Sequence, residues 1–259
     1  MCVNVSIVPC PNYEPETARR ALAAVLEPLG GLAWVEPGMK IAVKANLVAR
    51  MKPETAAATH PALVTELCRV LTERGAEVVV GDSPGGPFTA AWVGSVYTGT
   101  GMRAVEAAGA QLNSDYSTCE VSFPEGNTVK SFPYTAWLEK ADAVIDFAKL
   151  KTHAMAGMTC AVKNFFGVIP GTRKPEFHYM HPKTADFCDM LCDLAAYVKP
   201  RLTLVDAVLC MEGNGPTQGK PRHMGALLAA DTPFNADLVC AGLIGLDAKD
   251  APTVAAAIK

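Results

Sequence analysis

The chain has 259 residues, half of them apolar and 19% charged, with a formal net charge of −3. That composition excludes a disordered chain and suffices for one large domain or two small ones. No apolar run approaches the ~18 residues that span a bilayer, and the start, MCVNVSIVPCP, lacks the basic and apolar regions of a signal peptide; the cytoplasm is therefore the expected location, with no membrane partner.

Val3–Val8 alternates and is rich in β-formers, which predicts a first strand. Glu14–Leu29 follows, with Ala18, Leu22, Val25, Leu26 and Leu29 at helical spacing and Gly30-Gly31 as its stop. The turn Pro37-Gly38 leads into a second strand, Met39–Leu47. Pro61 suits the first turn of a helix running to Arg74, with Thr59 or His60 near its cap and Gly75 after it. Ala76–Val80 is an apolar strand that enters Gly81-Asp82-Ser83-Pro84-Gly85-Gly86. Strand, helix and strand in about 40 residues make a parallel crossover unit. Residues 87–135 carry a weaker pattern, with a short helix at Met102–Ala108 and a short strand at Val129–Phe132, and are expected to form an inserted lid or small subdomain. The alternation then resumes: strand Ala143–Phe147, helix Thr159–Phe166, helix Ala185–Val198 closed by Pro200, strand Leu202–Val205 and helix Ala236–Ile244. This order predicts a single α/β domain over residues 1–259, built on a mostly parallel sheet with helices on both faces.

Nine cysteines occur at irregular spacing, with no C-x-x-C and no four-cysteine iron–sulfur run. They are expected to be small buried hydrophobes in a reducing compartment. The closest pair, Cys188 and Cys192, falls on one helix face.

The polar residues gather where strands end. Lys44 and Asn46 close the second strand, Asp82 and Ser83 follow the third, Lys149 and Lys151 follow Ala143–Phe147, and Asp206 follows Leu202–Val205. Parallel strands bring these ends to one rim, where open α/β sheets bind ligands. The stretch from Lys149 to Lys183 strengthens the case. It holds six cationic residues, one acidic residue and three of the five histidines, a local +5 inside an acidic chain, as suits a pocket for something negative. Nucleic acid is not the expected partner, because the net charge is −3 and the stretch is expected to lack interleaved exposed aromatics beyond Phe177 and Tyr179.

Individual residues carry alternatives. Lys44 interrupts the apolar run IAVKANL and needs either an anion or a carboxylate partner such as Asp82. The loop Asp82–Gly86 is a turn by composition, and its amides can also form an anion nest; it matches no nucleotide-binding glycine motif. In extended backbone Lys149, Lys151 and His153 share one side. There they can hold a carboxylate or phosphate, and a lysine among like charges can act as a base or nucleophile. Lys163 lies one turn from Thr159. Asn164, between Lys163 and Phe165, is either a ligand contact or a buried hydrogen-bonding group. His178 and His181 have a spacing that chelates a metal if His60, His153 or Asp82 completes the site. Glu212–Pro216 is expected to be a mobile loop near Asp206.

Five motifs in order, KxN at Lys44–Asn46, THP at Thr59–Pro61, GDSPG at Gly81–Gly85, KLKTH at Lys149–His153 and VKNFFGxIPG at Val162–Gly171, make the chain resemble the domain of unknown function 362 family over roughly residues 1–245. The resemblance implies a bacterial or archaeal cytoplasmic protein associated with iron–sulfur chemistry through a ferredoxin-like module. With no four-cysteine run here, the chain is expected to be either a natural short form or a fragment whose ferredoxin-like segment, with its cluster, lies beyond Lys259. A remote likeness to the lactate racemase superfamily would imply a metal or a pincer-type cofactor at Lys149, Lys151 and His153.

The expected function is that of an enzyme binding a small anionic substrate or cofactor and performing isomerase- or redox-type chemistry beside a carboxylate. His153 is the expected general acid/base, with Lys151 and Asp82 as its catalytic companions. Asp82 or Asp206 would orient the imidazole or bind a metal. Lys44, Asn46, Ser83, Lys149, Thr152, Lys163 and Asn164 are expected to bind the anion. Two other classes stand beside it: an electron-transfer or cofactor-carrier module docking a ferredoxin-like partner, and a non-catalytic binder of a phosphorylated metabolite.

Overall fold

Alternating residues on the long strands part into two apolar layers, and that division organises the molecule. The computed structural model describes residues 4–258; Cys2, Val3 and Lys259, which begin or end expected features, lie outside the described residues. The first strand is β1 (Val5–Pro9), followed by α1 (Pro15–Leu26), β2 (Lys40–Ala45), α2 (Pro61–Glu73) and β3 (Glu77–Gly81). Then come α3 (Ala90–Gly99), β4 (Gln111–Leu112), β5 (Thr118–Ser122), β6 (Ser131–Thr135), β7 (Ala143–His153) and β8 (Gly157–Thr159). The chain continues through α4 (Ala161–Asn164), α5 (Lys174–Met180), α6 (Thr184–Val198), β9 (Leu202–Glu212), β10 (Lys220–Ala230), α7 (Pro233–Leu243) and α8 (Pro252–Ala257).

The main sheet runs in the order β1-β10-β9-β7-β2-β3-β4, with β8 paired to the end of β7. β9, β7, β2, β3 and β4 are parallel, while β10 is antiparallel to both β9 and β1. The fold is thus α/β with a mostly parallel sheet, as the alternation of elements predicts. β2, KIAVKA, is buried at every position after Lys40, the signature of a strand covered on both faces. Leu227 and Ala229 of β10 join one core with Leu22 of α1 and Leu63 of α2, whereas Leu228 and Ala230 join another with Ala236 of α7 and Val254 of α8. Strand side chains alternate between faces, so helices cover both.

Helix starts follow local chemistry. Pro61 sits in the first turn of α2, and the His60 imidazole accepts a hydrogen bond from Ala62 N. Thr59, the other candidate cap, instead accepts from Asn46 N and donates to Phe147 O, tying the β2 and β7 ends together. Residues 87–135 contain α3, the 3₁₀ turn Met102–Ala108, β4 at the sheet edge and the separate two-stranded ribbon β5–β6.

Two strands run further than expected. β7 continues through Lys149 and Lys151 to His153, and β9 continues past Asp206 to Glu212. Between Lys149↔Asp206 and Lys151↔Met211 the register jumps. The amides this frees are recovered locally: Val208 N donates to Asp206 Oδ1 and Leu209 N to Tyr13 Oη. Helix α4 is shorter than expected because Thr159 belongs to β8, paired with Lys151. Thr159 and Lys163 therefore do not share a helix face.

Candidate functional site

Parallelism brings the carboxyl ends of β2, β3, β7 and β9 to one rim, and two clusters form there. The first is closed. Lys149 Nζ donates to Asp206 Oδ2 at 2.8 Å and to Tyr13 Oη at 3.1 Å; both lysine and aspartate are buried. Tyr13 donates to Asp206 Oδ1 at 3.0 Å, and His60 N to Asp206 Oδ2 at 2.9 Å. The His60 ring stacks on Tyr13, centroids 3.5 Å apart and 7° from parallel. Burial holds its pKa down to about 4 despite Asp206.

The second cluster begins as a pair and opens into a cleft. Lys44 Nζ and Asp82 Oδ1 are 2.8 Å apart, and the lysine is wholly buried. Of the two alternatives for Lys44, the structure has the carboxylate partner. Asp82 also accepts from Leu47 N, so it does not orient His153. Asn164 is the hub beside them. Its Oδ1 accepts from Lys44 Nζ and Asn46 Nδ2, and its Nδ2 donates to Lys44 O and, at 2.6 Å, to Asp146 Oδ1. All four bonds an amide can make are made. Asp146 is fully buried, and burial drives its pKa well above the carboxylate range despite Asn164 and Lys44.

Above this hub lies a cleft of about 220 Å³. Lys151, Lys163 and Lys174 line it together with Ser83, Thr159, His153 and Phe166. Among the described residues none of these three lysines has a carboxylate within ion-pair distance. Lys151 Nζ donates to Asn46 Oδ1 at 2.9 Å and to Ala57 O. Burial first, then Lys163 and Lys149, push its pKa well below an ordinary lysine's. Burial lowers Lys163 to about 8 and Lys174 to about 7. Lys163 lies over the rings of Phe166 and Phe187, and Lys174 over Phe166, donating also to Ser83 O. Two hydroxyls in the wall, Ser83 Oγ and Thr159 Oγ1, are buried without any hydrogen-bond partner. Larger space exists at the opposite rim, about 710 Å³ beside Val144, Lys199 and Arg201, but no buried lysine lines it.

Several expectations change here. Lys44, Lys149, Asn46 and Asn164 have their polar atoms engaged inside the protein. Thr152 Oγ1 donates to Gly213 O, away from the cleft. The Asp82–Gly86 loop is not an open nest, since Ser83 N donates to Gly167 O and Gly85 N to Val48 O. His153 does not titrate near neutrality: burial, then Lys163 and Lys151, hold it to about 3. Its Nδ1 accepts from Met155 N and Ala156 N, which leaves the proton on Nε2 and makes the neutral ring a donor. His178 stacks on Phe187 while His181 tilts against Phe177. Among the described residues no three His, Cys, Asp or Glu side chains gather as metal ligands, so His178 and His181 lack the third ligand they require.

The domain of unknown function model DUF362 matches residues 41–242. The chain belongs to the DUF362 family. A relative within curated proteins, thylakoid-associated protein sll1697 of Synechocystis sp. (strain ATCC 27184 / PCC 6803 / Kazusa), is 33% identical over 260 residues, 99% of this chain and 79% of the relative. Among solved structures, the lactate racemase apoprotein of Thermoanaerobacterium thermosaccharolyticum superposes with a TM-score of 0.55 at 11% identity, over 92% of this chain. The DUF362 chain spans 56% of that protein's length, and the likeness is one of fold. No described helix is long and apolar enough to cross a membrane.

A metal-bearing group at Lys149, Lys151 and His153 does not fit these residues. Lys149 is paired with Asp206 and His153 Nδ1 is occupied by backbone donors, so two of the three have no free ligating atom. The described cysteines form no disulfide, are mostly buried and gather into no ligand set, so they do not fit an iron–sulfur cluster either.

Sequence reasoning missed Lys174 and Asp146. Asp146 interrupts the apolar run AVIDFA as Lys44 interrupts IAVKANL, so the signal was present. Lys174 had only its place in the basic stretch.

Proposed function

We propose that the carboxyl-rim cleft binds a small anion, a carboxylate or phosphate, and that the protein is an enzyme of isomerase or redox type acting on it. One observation carries this reading: three lysines without carboxylate partners surround a cleft whose wall contains two unpartnered, buried hydroxyls. Buried hydroxyls are normally satisfied, half-buried cations such as Lys163 and Lys174 call for a counter-charge, and an oxyanion serves both at once. Lys163 and Lys174 hold its charge; Ser83 and Thr159 donate to its oxygens; His153 donates from Nε2. A lysine with a pKa near 7 also serves as a proton-transfer group at working pH.

Thermal unfolding tests the binding half. Orthophosphate, or a simple carboxylate such as lactate, raises the Tm saturably, and Lys163→Met/Lys174→Met abolishes the shift. A shift that survives both substitutions, or none in the native protein, ends the proposal. Solvent-exchange NMR tests the catalytic half. Lactate or another 2-hydroxy acid incubated with the protein in D2O exchanges the carbon-bound proton next to the carboxylate; binding without turnover leaves a non-catalytic binder. The free thiols suit the cytoplasm, and the name of the Synechocystis relative makes a membrane surface the competing location, which fractionation decides.

A further inference from the structure

Lys151 differs from every other lysine at the rim in how its nitrogen is held. It sits at the end of β7 with a relative exposure of 1% and lines the cleft. A neutral amine nitrogen has four tetrahedral directions: the bond to Cε, two N–H bonds and a lone pair. Asn46 Oδ1 and Ala57 O take the two N–H bonds. Asn46 is itself held by Asn164, whose carbonyl oxygen is fixed by Lys44, so neither acceptor is free to turn away. The remaining direction is left for the lone pair. The charged groups around it are Lys163, Lys149 and Asp82, two cations against an anion that is already paired with Lys44.

We propose that Lys151 is a nucleophile that forms an imine with a carbonyl compound bearing a neighbouring carboxylate, a 2-oxo acid or an aldehyde acid. This rests on the anion-binding reading above, because Lys163 and Lys174 hold the carboxylate that brings the carbonyl carbon to the amine. The step balances without an oxidant. The Nζ lone pair attacks the carbonyl carbon, the C=O π electrons move to oxygen, and a proton passes from nitrogen to oxygen to give a carbinolamine. That hydroxyl then takes one more proton and leaves as water while the C=N bond forms: amine, carbonyl and one proton give iminium and water. Lys174, which titrates near pH 7, stands in the same cleft as the group that supplies the proton. Burial favours the neutral amine on which the attack depends.

Reductive trapping tests this. The full chain is incubated at pH 7 with glyoxylate and cyanoborohydride, then digested and mapped by mass spectrometry. At that pH an ordinary lysine is neutral in roughly one molecule in a thousand or fewer, so a carboxymethyl adduct concentrated at Lys151, at least about tenfold above any other lysine, is the expected result. Acetaldehyde, which lacks the carboxylate, labels Lys151 far less. Asn46→Asp puts a negative charge beside Nζ, keeps the amine protonated and lowers the labelling at least about tenfold; this variant is isosteric, giving up the Nδ2 hydrogen bond to Asn164 Oδ1, and does not depend on whether Lys151→Met folds. Labelling spread over surface lysines, or centred on Lys163 or Lys174, overturns the assignment. Orthophosphate stabilisation is measured on the same sample. If it persists while Lys151 stays unlabelled, this inference falls and anion binding stands; if both fail, both fall.

Discussion

Lys149 and Lys151 lie two residues apart on one strand, both are 1% exposed, and they have opposite fates. Lys149 meets Asp206 in a closed network with Tyr13 and the His60 amide. Lys151 meets only neutral acceptors and borders a cleft with two more unpaired lysines. The register jump between them separates the two environments: before it Lys149 is paired with Asp206, within it Leu209 N turns to Tyr13 Oη, and beyond it Lys151 is paired with Met211 and lines the cleft. Burial alone therefore does not tell the two lysines apart; the presence or absence of a carboxylate partner does.

Substitutions break this comparison most sharply at the closed pair. Lys149→Met leaves Asp206 buried without its cation and is expected to cost about 3 kcal/mol or more in urea unfolding. The double variant Lys149→Met/Asp206→Asn loses less than the sum of the single ones. Gly167→Ala comes next. A methyl there would overlap Asp82 Oδ1 and Lys44 Nζ, and the strain is expected to cost about 2 kcal/mol. Lys151→Met should cost about 2 kcal/mol, because two neutral acceptors, Asn46 Oδ1 and Ala57 O, lose their donor while no charge is stranded. A loss equal to that of Lys149→Met would erase the distinction.

The pH dependence sharpens the same point with a smaller signal. Lys163 and Lys174 are depressed to about 8 and about 7 in the folded state, against 10.5 unfolded. Between those values the unfolded chain binds more protons, so stability rises with pH from about 7 to 10. Anion binding runs the other way, since each ammonium lost weakens the grip. Tm without phosphate should climb over this range while the phosphate-induced shift shrinks; Lys163→Met/Lys174→Met should make the climb shallower, with Lys151 supplying the remainder, and remove the phosphate-induced shift. On the acid side His153 takes its proton in the folded state only near pH 3, so its contribution makes stability fall as pH drops below about 6.5; His153→Gln should make that limb shallower, with His60 and His178 still contributing to it.

Much of this was legible beforehand because it follows from direction alone. Once β2, β3, β7 and β9 are parallel, Lys44, Asp82, Lys151 and Asp206 must approach one rim, however far apart they are in sequence. The charged residue inside IAVKANL announced a buried partner. What stayed hidden depends on contacts between distant segments. β10, Lys220–Ala230, begins with exposed polar residues and shows its apolar alternation only in its second half. Tyr13 reaches Asp206 across 193 residues and Lys174 reaches Ser83 across 91; no local pattern encodes either. The His153 tautomer is set by two backbone amides whose direction only the turn after β7 determines.

The placement of β1 has a consequence for how the chain acquires its shape during synthesis. Its partner in the sheet is β10, with Val5 opposite Ala230. A strand made first must wait for one made some two hundred residues later, roughly 10–40 s at ribosomal speeds of about 5–20 residues per second. Throughout that interval Ile7 and its neighbours are an unclaimed edge, and closure of this long loop is a late and slow event in folding. Nascent chains halted before residue 220 should therefore depend on chaperones far more than the finished protein does.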